Sequence, residues 1–345
     1  MALAQGARRA TLPGMNPECT IVVRTAADLI AVTPYLLGFH PTDSIVVIGT
    51  VGRRVSFAGR HDLPPPGSDG AGWMAPLVAR QGAQAIAVLG FGPPDPVDRT
   101  LDTLGTALAR SGLQIRDRLR ITGGRWWSRD CAEHGCCPPE GHPVPSPSSP
   151  VAAAAVFQGQ VALPDRRTLV AQVASVDGED RRRMAAATAD LGIRFGRVFR
   201  SGGDPGVLLD EAGRSAVRAG ERRHAAGRSL TFPETAWLGA LLAGRPVFDY
   251  AVDRISGEPW RITQWAEMTR RVETPFVPGP AALLGYAAWR AGLGPLARVA
   301  VDRALRLDPG HQFARVLDGL LAAGIGHEAV EDFVSPTATL RGRSR

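Results

Sequence analysis

The sequence predicts an α/β N-terminal half, with a mostly parallel sheet and one hairpin, and an all-α C-terminal half with a tetratricopeptide-like helical pair. Two observations lead to this fold class. As far as Ile121, short β-branched runs alternate with segments in which apolar residues recur every three or four positions. From Asp165 onward, most segments have the helical spacing alone.

This change of pattern predicts five successive regions. The first and last are tails that we expect to be disordered. A Pro/Ser-rich stretch at 144–150 separates the α/β domain from the helices. The regions are a tail at 1–16, an α/β domain at 17–145, a helical region at 146–272, a tetratricopeptide-like unit at 273–334 and a tail at 335–345.

The α/β domain is expected to begin with a strand and a capped helix. Thr20–Val23 has the composition of a strand. Thr25 and Asp28 have the spacing of a capping box, which predicts that a helix begins there. Pro34 has no N–H to donate, so it predicts a kink in that helix or its end. Gly38 suits a left-handed C-cap.

Three further segments complete the predicted sheet. Ile45–Ile48 is a continuous β-branched run, which is typical of a strand buried on both faces. The turn at 52–54 leads into Val55–Asp62, a less apolar segment that we expect to be an antiparallel partner nearer an edge. Ala85–Leu89 and Ile115–Ile121 are separated by an amphipathic helical pattern, which favours parallel neighbours.

Polar residues gather where these predicted strands begin or end. Because such groups converge at a sheet edge, we predict a ligand-binding pocket there. The alternative is that they only cap turns and bond locally. One geometric point opposes the pocket: ligands of open α/β sheets lie at the carboxyl ends of strands, whereas the first polar group precedes a strand. The predicted ligand-binding residues are Tyr35, His40, Asp43, Ser44, Arg60 and Asp62.

An enzyme is the alternative function, either hydrolase-like or metal-assisted, with its site near 40–44 and 60–62. Ser44 could act as a nucleophile, with His40 or His61 as base and Asp43 or Asp62 as the orienting group. No Gly-x-Ser-x-Gly elbow supports this arrangement.

A second concentration of reactive side chains follows the adjacent pair Trp126 and Trp127. Cys131, Cys136 and Cys137 lie within seven residues. A structural or redox role, with a Cys131–Cys136 disulfide as one form, is favoured. A zinc site that adds His134 or His142 comes second, because Cys-x4-Cys-Cys is not a standard zinc pattern. A catalytic thiol comes third.

Several of these segments resemble one known family. They are Pro-Tyr-Leu-Leu-Gly-Phe-His-Pro-Thr-Asp-Ser at 34–44, the segment from Trp126 through Cys136-Cys137-Pro-Pro-Glu-Gly, and Ser-Pro-Val-Ala-Ala-Ala-Ala at 149–155. Together they are similar to an actinobacterial domain-of-unknown-function family, the one numbered 4192. The resemblance spans about 20–324. It implies no activity, so no catalytic residue follows from it.

The basic residues of the chain exclude some chemistries. All 40 of the Lys and Arg residues are Arg. Without Lys, the chain has no Schiff-base lysine, no pyridoxal phosphate anchor and no Walker A lysine. The net charge of +7 raises Arg-mediated nucleic-acid binding as a second alternative function. The Arg residues are spread along the chain, however, so a solvated surface is the favoured explanation.

The expected cellular compartment is inferred from three features that the sequence does not contain. It contains no apolar run of the length that a membrane span needs, so we expect no membrane association. Residues 1–15 have no apolar core of a secretory signal. The few cysteines do not form a disulfide framework, and a cytoplasmic location is expected.

The C-terminal half is predicted to be helical throughout, apart from a Gly/Arg-rich connection at 192–206. Thr231 and Glu234 have capping-box spacing. The order of Leu284-Gly285, Ala297, Ala304 and Pro309 resembles a tetratricopeptide unit, in which small residues let two helices approach closely. We therefore predict a ligand- or protein-binding, regulatory module whose C-terminal helices bind a protein partner.

Overall fold

The computed structural model describes residues 23–52, 54–65, 72–157 and 159–327. Contacts between Cα atoms divide the chain into two compact units, Met1–Thr168 and Leu169–Arg345. The predicted strand at 20–23 and both predicted tails lie wholly or mainly outside the described residues.

The first unit contains a six-stranded sheet and four helices that precede or follow its strands. The strands are β1 (Ser44–Val51), β2 (Arg54–Asp62), β3 (Ala85–Phe91), β4 (Gln114–Thr122), β5 (Arg125–Ser128) and β6 (His142–Pro143). The helices are α1 (Ala26–Leu37), α2 (Ala75–Ala79), α3 (Pro94–Arg110) and α4 (Pro150–Phe157).

The strand order is β2-β1-β3-β4-β5-β6, and the sheet is mixed. Of the described pairs, β3 and β4 are parallel and the other four are antiparallel. The prediction of a mostly parallel sheet was therefore wrong. The strand after α2 does not pair with β2. It lies on the far side of β1, so β1 is antiparallel to both of its neighbours.

Helix α1 begins as its capping box predicts. Asp28 N donates to Thr25 Oγ1 at 3.1 Å, and Thr25 N donates to Asp28 Oδ2 at 3.1 Å. The helix does not end at Pro34 but continues to Leu37, where Gly38 caps it with a φ of 75°. Pro34 is buried inside the helix, so tertiary packing outweighs the loss of one backbone hydrogen bond.

The sheet has a buried core on each face. Ile45, Val47 and Val88 pack with Leu101 and Leu104 of α3 in one cluster. Because side chains alternate along a strand, Val46, Ile48 and Leu89 project to the opposite face, and each is almost fully buried. Helix α1 packs against β2 and α4.

The second unit is helical throughout its described residues. Its helices are α5 (Arg166–Ala171, which straddles the boundary), α6 (Gly178–Ala189), α7 (Leu191–Arg200), α8 (Pro205–Ala225), α9 (Phe232–Leu241), α10 (Arg245–Asp253), α11 (Pro259–Arg271), α12 (Pro278–Arg290), α13 (Gly294–Leu307) and α14 (Gln312–Ala322). The predicted connection at 192–206 was wrong, because α7 occupies most of it. Leu191, Phe195 and Val198 have helical spacing that two glycines obscure.

The last three helices pack closely together. A Cβ added to Gly285 of α12 would lie 2.8 Å from Val301 Cγ2 of α13, so only glycine allows this approach. Ala297 and Ala304 are fully buried in the same unit. Helix α12 also packs on α11.

Candidate functional site

The predicted ligand-binding residues lie around the start of β1. Ser44 pairs with Asp62, the last residue of β2, and with Phe91, the last residue of β3. Because β1 is antiparallel to both neighbours, its first residue lies beside their carboxyl ends. The geometric objection drawn from parallel sheets therefore does not apply to this chain.

Arg60 joins two parts of this edge. Its Nη1 lies 2.5 Å from Asp62 Oδ1, and its Nη2 donates to the Thr42 carbonyl at 3.2 Å. The strand register places Ser44, Arg60 and Asp62 on the same face of the sheet. Ser44 Oγ and Arg60 Nε are buried, and neither has a hydrogen-bond partner among the described residues.

The other predicted residues surround this group less closely. Asp43 has a φ of 43°, and its carbonyl accepts a hydrogen bond from Leu63 N at 2.9 Å. His40 is exposed, and its backbone N–H donates to the Leu163 carbonyl at 2.9 Å. Tyr35 is half-buried on α1. The structure thus brings together Ser44, Arg60 and Asp62, and it leaves the His40 side chain at the surface.

The Ser-His-Asp arrangement is not formed. His61 pairs with Ile45 and so projects to the face opposite Ser44. There its ring contacts Trp73, with ring centroids 4.9 Å apart. Within the described part of the chain, Ser44 Oγ bonds to neither His40 nor His61.

The three clustered cysteines lie in a loop between β5 and β6, which we call the sulfur loop (residues 129–141). The Sγ atoms of Cys131, Cys136 and Cys137 all lie within 4.8 Å of one another. Cys131 Sγ is 2.9 Å from Cys136 Sγ, and Cys136 Sγ is 3.8 Å from Cys137 Sγ. His134 is exposed and is not part of this group.

The three sulfurs differ in acidity. Hydrogen bonds from the Cys136 and Cys137 thiols, with a smaller contribution from Glu133, lower the pKa of Cys131. The hydrogen bond to Cys131, followed by burial, raises the pKa of Cys137 to about 12. All three are free thiols in this structure. Cys131 is therefore the thiol that most readily becomes a thiolate.

Side chains of β5 hold the sulfur loop in place. Arg125 donates to the Glu140 carbonyl at 2.5 Å and to the Gly141 carbonyl at 2.6 Å. Trp127 Nε1 donates to the Pro139 carbonyl at 2.9 Å. These bonds satisfy backbone groups that would otherwise need water, so they fix the loop without help from the cysteines.

His142 of β6 closes the other side of the loop. Its Nε2 lies 2.8 Å from the Cys136 carbonyl, and its ring stacks on Trp126 at a centroid distance of 4.5 Å. A small cavity of about 100 Å³ lies beside these rings and is lined in part by Cys131 and Cys137. The loop therefore combines three thiols with a space large enough for water or a small ligand.

The second unit contains a larger cavity that the sequence analysis missed. It has a volume of about 370 Å³, and we call it the α7–α8 cleft. The Arg194 guanidinium lies 4.3 Å above the ring centroid of Trp237, a buried residue of α9. The helical spacing of apolar residues at 191–198 was the sequence feature that could have revealed α7, one of the helices that line this cleft. The lining includes Arg194, Val198, Ala216, Ala219, Glu234 and Trp237.

The Arg-dense segment at 218–228 takes part in internal contacts. Arg218 Nη1 donates to Tyr250 Oη at 3.1 Å, and Arg223 pairs with Glu234 at 3.0 Å. The same helix carries Glu221, which is 6% exposed. These contacts give Arg218 and Arg223 a structural role within the helical unit.

Among the described residues, none of the helices has both the length and the apolar character to cross a membrane. Comparison with curated proteins gives no significant match. Comparison with solved structures gives none either. One family model, described as a domain of unknown function (DUF4192), matches residues 27–328. That match covers most of the chain, including the sheet edge, the sulfur loop and the α7–α8 cleft, so the chain belongs to this family of unknown function.

Proposed function

We propose that the protein is a binding module whose helical unit docks an acidic, amphipathic helix of a partner protein along α7 and in the α7–α8 cleft. The observation that carries this proposal is the surface of α7. Leu191 is the one fully buried residue of that helix, although its sequence is strongly amphipathic.

Apolar side chains on and beside α7 are left in contact with solvent. Ile193 is 58% exposed, Phe199 is 48% exposed, and Val207 at the start of α8 is 56% exposed. Single exposed apolar residues are common, but two on one short helix and a third at the start of the next favour an interaction surface. The cleft volume is at the lower end for ligand pockets, and it suits one or two anchoring side chains of a partner helix.

The charge of α7 identifies the kind of partner. The helix carries Arg194, Arg197 and Arg200 and no acidic residue. Neither Arg197 nor Arg200 has an acidic partner within the described ranges. Burial, opposed by Glu234, lowers the pKa of Arg194, and the nearby charge of Arg197 adds to the effect. A partner with Glu or Asp beside its apolar anchors would relieve this concentration of positive charge.

The proposal is tested with two designed helical peptides that share Leu and Phe anchors at i, i+3, i+4 and i+7. One has Glu at its polar positions, and the other has Lys. Fluorescence anisotropy measures binding to the full chain. We expect the acidic peptide to bind, the basic one not to, and the double variant Arg197→Glu/Arg200→Glu to weaken binding at least about tenfold.

Phe199→Asp should also abolish binding of the acidic peptide. Its matched control is Phe157→Asp, a change at an exposed apolar residue of the first unit, and Arg110→Glu is the control for charge. Equal binding of both peptides would overturn the proposal. Binding of an RNA oligonucleotide that depends on Arg197 and Arg200, without peptide binding, would overturn it in favour of a nucleic-acid partner.

A tetratricopeptide-like character of α12–α14 belongs to the same proposal. It is supported by the approach of α12 and α13 at Gly285 and by the buried Ala297 and Ala304. Units of this kind present a surface to helical or extended peptides, which suits a protein that binds partners.

Small-ligand binding at the sheet edge is a second candidate. One observation favours it: Ser44 Oγ and Arg60 Nε are buried on the same face, and the described part of the chain offers neither of them a hydrogen-bond partner. A carboxylate or phosphate oxygen could accept hydrogen bonds from both. Thermal shift measurements against small carboxylates and inorganic phosphate test this. Shifts that Ser44→Ala removes would support the candidate, and shifts that Ser44→Ala leaves unchanged would contradict it.

A further inference from the structure

We propose that Cys131, Cys136 and Cys137 form a three-thiolate binding site for Zn²⁺ in the sulfur loop, with one coordination position left to water or an exogenous ligand. The site lies in the first unit and is independent of the binding proposed for the helices. The cluster of three sulfurs within 4.8 Å carries the inference.

The spacing of the sulfurs suits a tetrahedral ion. Zn–S bonds of about 2.3 Å at tetrahedral angles separate two sulfurs by about 3.8 Å. Cys136 and Cys137 already have that separation, at 3.8 Å. Cys131 and Cys136 are closer, at 2.9 Å, so the Cys131 side chain has to move outward by roughly 1 Å to share the ion.

The backbone of the loop allows the two adjacent cysteines to face one ion. Cys136 N and Cys137 N both donate to the Glu133 carbonyl, at 3.0 and 2.7 Å. This tight turn places the two neighbouring thiols on the same side as Cys131. The turn at Glu133 thus brings the adjacent thiols together, although their sequence spacing is not a standard zinc pattern.

Several groups near the three sulfurs could supply or exclude the fourth ligand. His142 Nε2 is engaged by the Cys136 carbonyl, so this atom of the histidine does not complete the site in the present geometry. Glu133 Oε2 lies 3.9 Å from Cys136 Sγ, and the cavity beside Cys131 and Cys137 has room for a water molecule. Three protein ligands with a fourth exchangeable one is the pattern of zinc sites that remain open to small molecules.

Binding would require proton release. Each thiol that ligates Zn²⁺ gives up its proton, so uptake competes with protonation and strengthens as the pH rises. The loop is held by Arg125 and Trp127 through bonds that need no metal. The site therefore exists before the ion arrives, and its variants should remain folded.

The experiment is a Co²⁺ titration of the reduced full-length chain, followed by displacement with Zn²⁺. Sulfur-to-cobalt charge-transfer absorption reports thiolate ligands, and its intensity scales with their number. We expect one Co²⁺ per chain, absorption typical of three thiolates, and loss of the signal when Zn²⁺ is added. Cys131→Ser, Cys136→Ser and Cys137→Ser should each weaken binding at least about tenfold.

The matched control is Cys19→Ser, which removes the one cysteine outside the sulfur loop. It should leave both the stoichiometry and the spectrum unchanged. Near-ultraviolet circular dichroism, to which Trp126 and Trp127 contribute together with the other five tryptophans, verifies that each variant keeps its tertiary structure. Absence of thiolate absorption in reduced, folded protein would overturn the proposal. A Cys131–Cys136 disulfide that forms in air while Zn²⁺ is present would overturn it as well.

Discussion

Glu221 accepts hydrogen bonds from Arg261 Nη1 at 2.6 Å and from two nitrogens of Arg254, at 2.6 to 3.0 Å. The Glu221 side chain is 8% exposed. It joins α8 to α11 and to the residue that caps α10, so one carboxylate connects three elements of the helical unit.

Replacing this carboxylate should strongly destabilise the helical unit. Glu221→Ala removes the carboxylate that both guanidinium groups share and leaves Arg261 paired with Glu258, and we expect the free energy of unfolding to fall by about 2 kcal/mol. Chemical denaturation measures the change. Glu211→Ala, at an exposed position of the same helix, is the control and should stay within about 0.5 kcal/mol of the native protein. Equal effects of the two variants would contradict the prediction.

The buried hydroxyl of Ser44 should lower the free energy of unfolding of the native protein. Ser44 Oγ has no hydrogen-bond partner among the described residues, so Ser44→Ala removes an unsatisfied polar atom and should raise the free energy of unfolding by about 1 kcal/mol. Denaturant titration without added ligand measures it. Ser56→Ala, at an exposed position of β2, is the control. A loss of stability in Ser44→Ala would show that the hydroxyl has a partner in solution.

Gly285 should tolerate no side chain. Gly285→Ala gains about 1 kcal/mol of helix propensity, but its Cβ would meet Val301 at 2.8 Å and Leu317 at 3.3 Å. We expect a net loss of about 1 to 2 kcal/mol from overpacking, measured by thermal or chemical unfolding. Gly319→Ala on α14 has no atom within 4 Å and should instead be stabilising. The opposite order of the two variants would contradict this account of α12 and α13.

The buried surroundings of Glu267, whose Oε2 lies 2.9 Å from His224 Nε2, should make the stability of the helical unit depend on pH in the acidic range. Burial opposes the charge of Glu267, but hydrogen bonds from His224 and Ser229 and the charge of Arg271 outweigh it and lower its pKa below the ordinary 4.5. A lowered carboxylate pKa gives stability that is complete above the unfolded value and is lost as the pH falls through the folded value.

Glu267→Gln should therefore be less stable than the native protein at neutral pH. The difference should shrink as the pH falls below about 4.5 and disappear in stronger acid. Denaturant titrations at a series of pH values measure this. A difference that stays constant across the series would show that Glu267 contributes through packing and not through its charge.

Local features of the fold were predictable from the sequence. Thr25 with Asp28, and Thr231 with Glu234, form the capping boxes that their spacing predicts, because the hydrogen bonds join residues three positions apart. The left-handed cap at Gly38 was predictable for the same reason. These interactions depend on neighbouring residues alone, so no knowledge of the tertiary structure is needed.

Features that depend on distant residues were not predictable. The sheet is mixed because the chain passes from β2 to the far side of β1, where β3 pairs with it. No pattern of neighbouring residues in the sequence predicts this connection. Glu221 and its two Arg partners are 33 and 40 residues apart in sequence. At the candidate sites, spacing identified the three cysteines, but the turn at Glu133 that brings them together needed the structure.

The sulfur loop starts and finishes on two strands that pair with each other, β5 and β6. The residues that form the sulfur loop therefore come from one segment of the chain, and those that line the α7–α8 cleft come from another. Mutation can reshape either place while the other keeps its form. Descendants of one ancestor could accordingly change the cleft and retain the three thiols, or lose the thiols and retain the cleft.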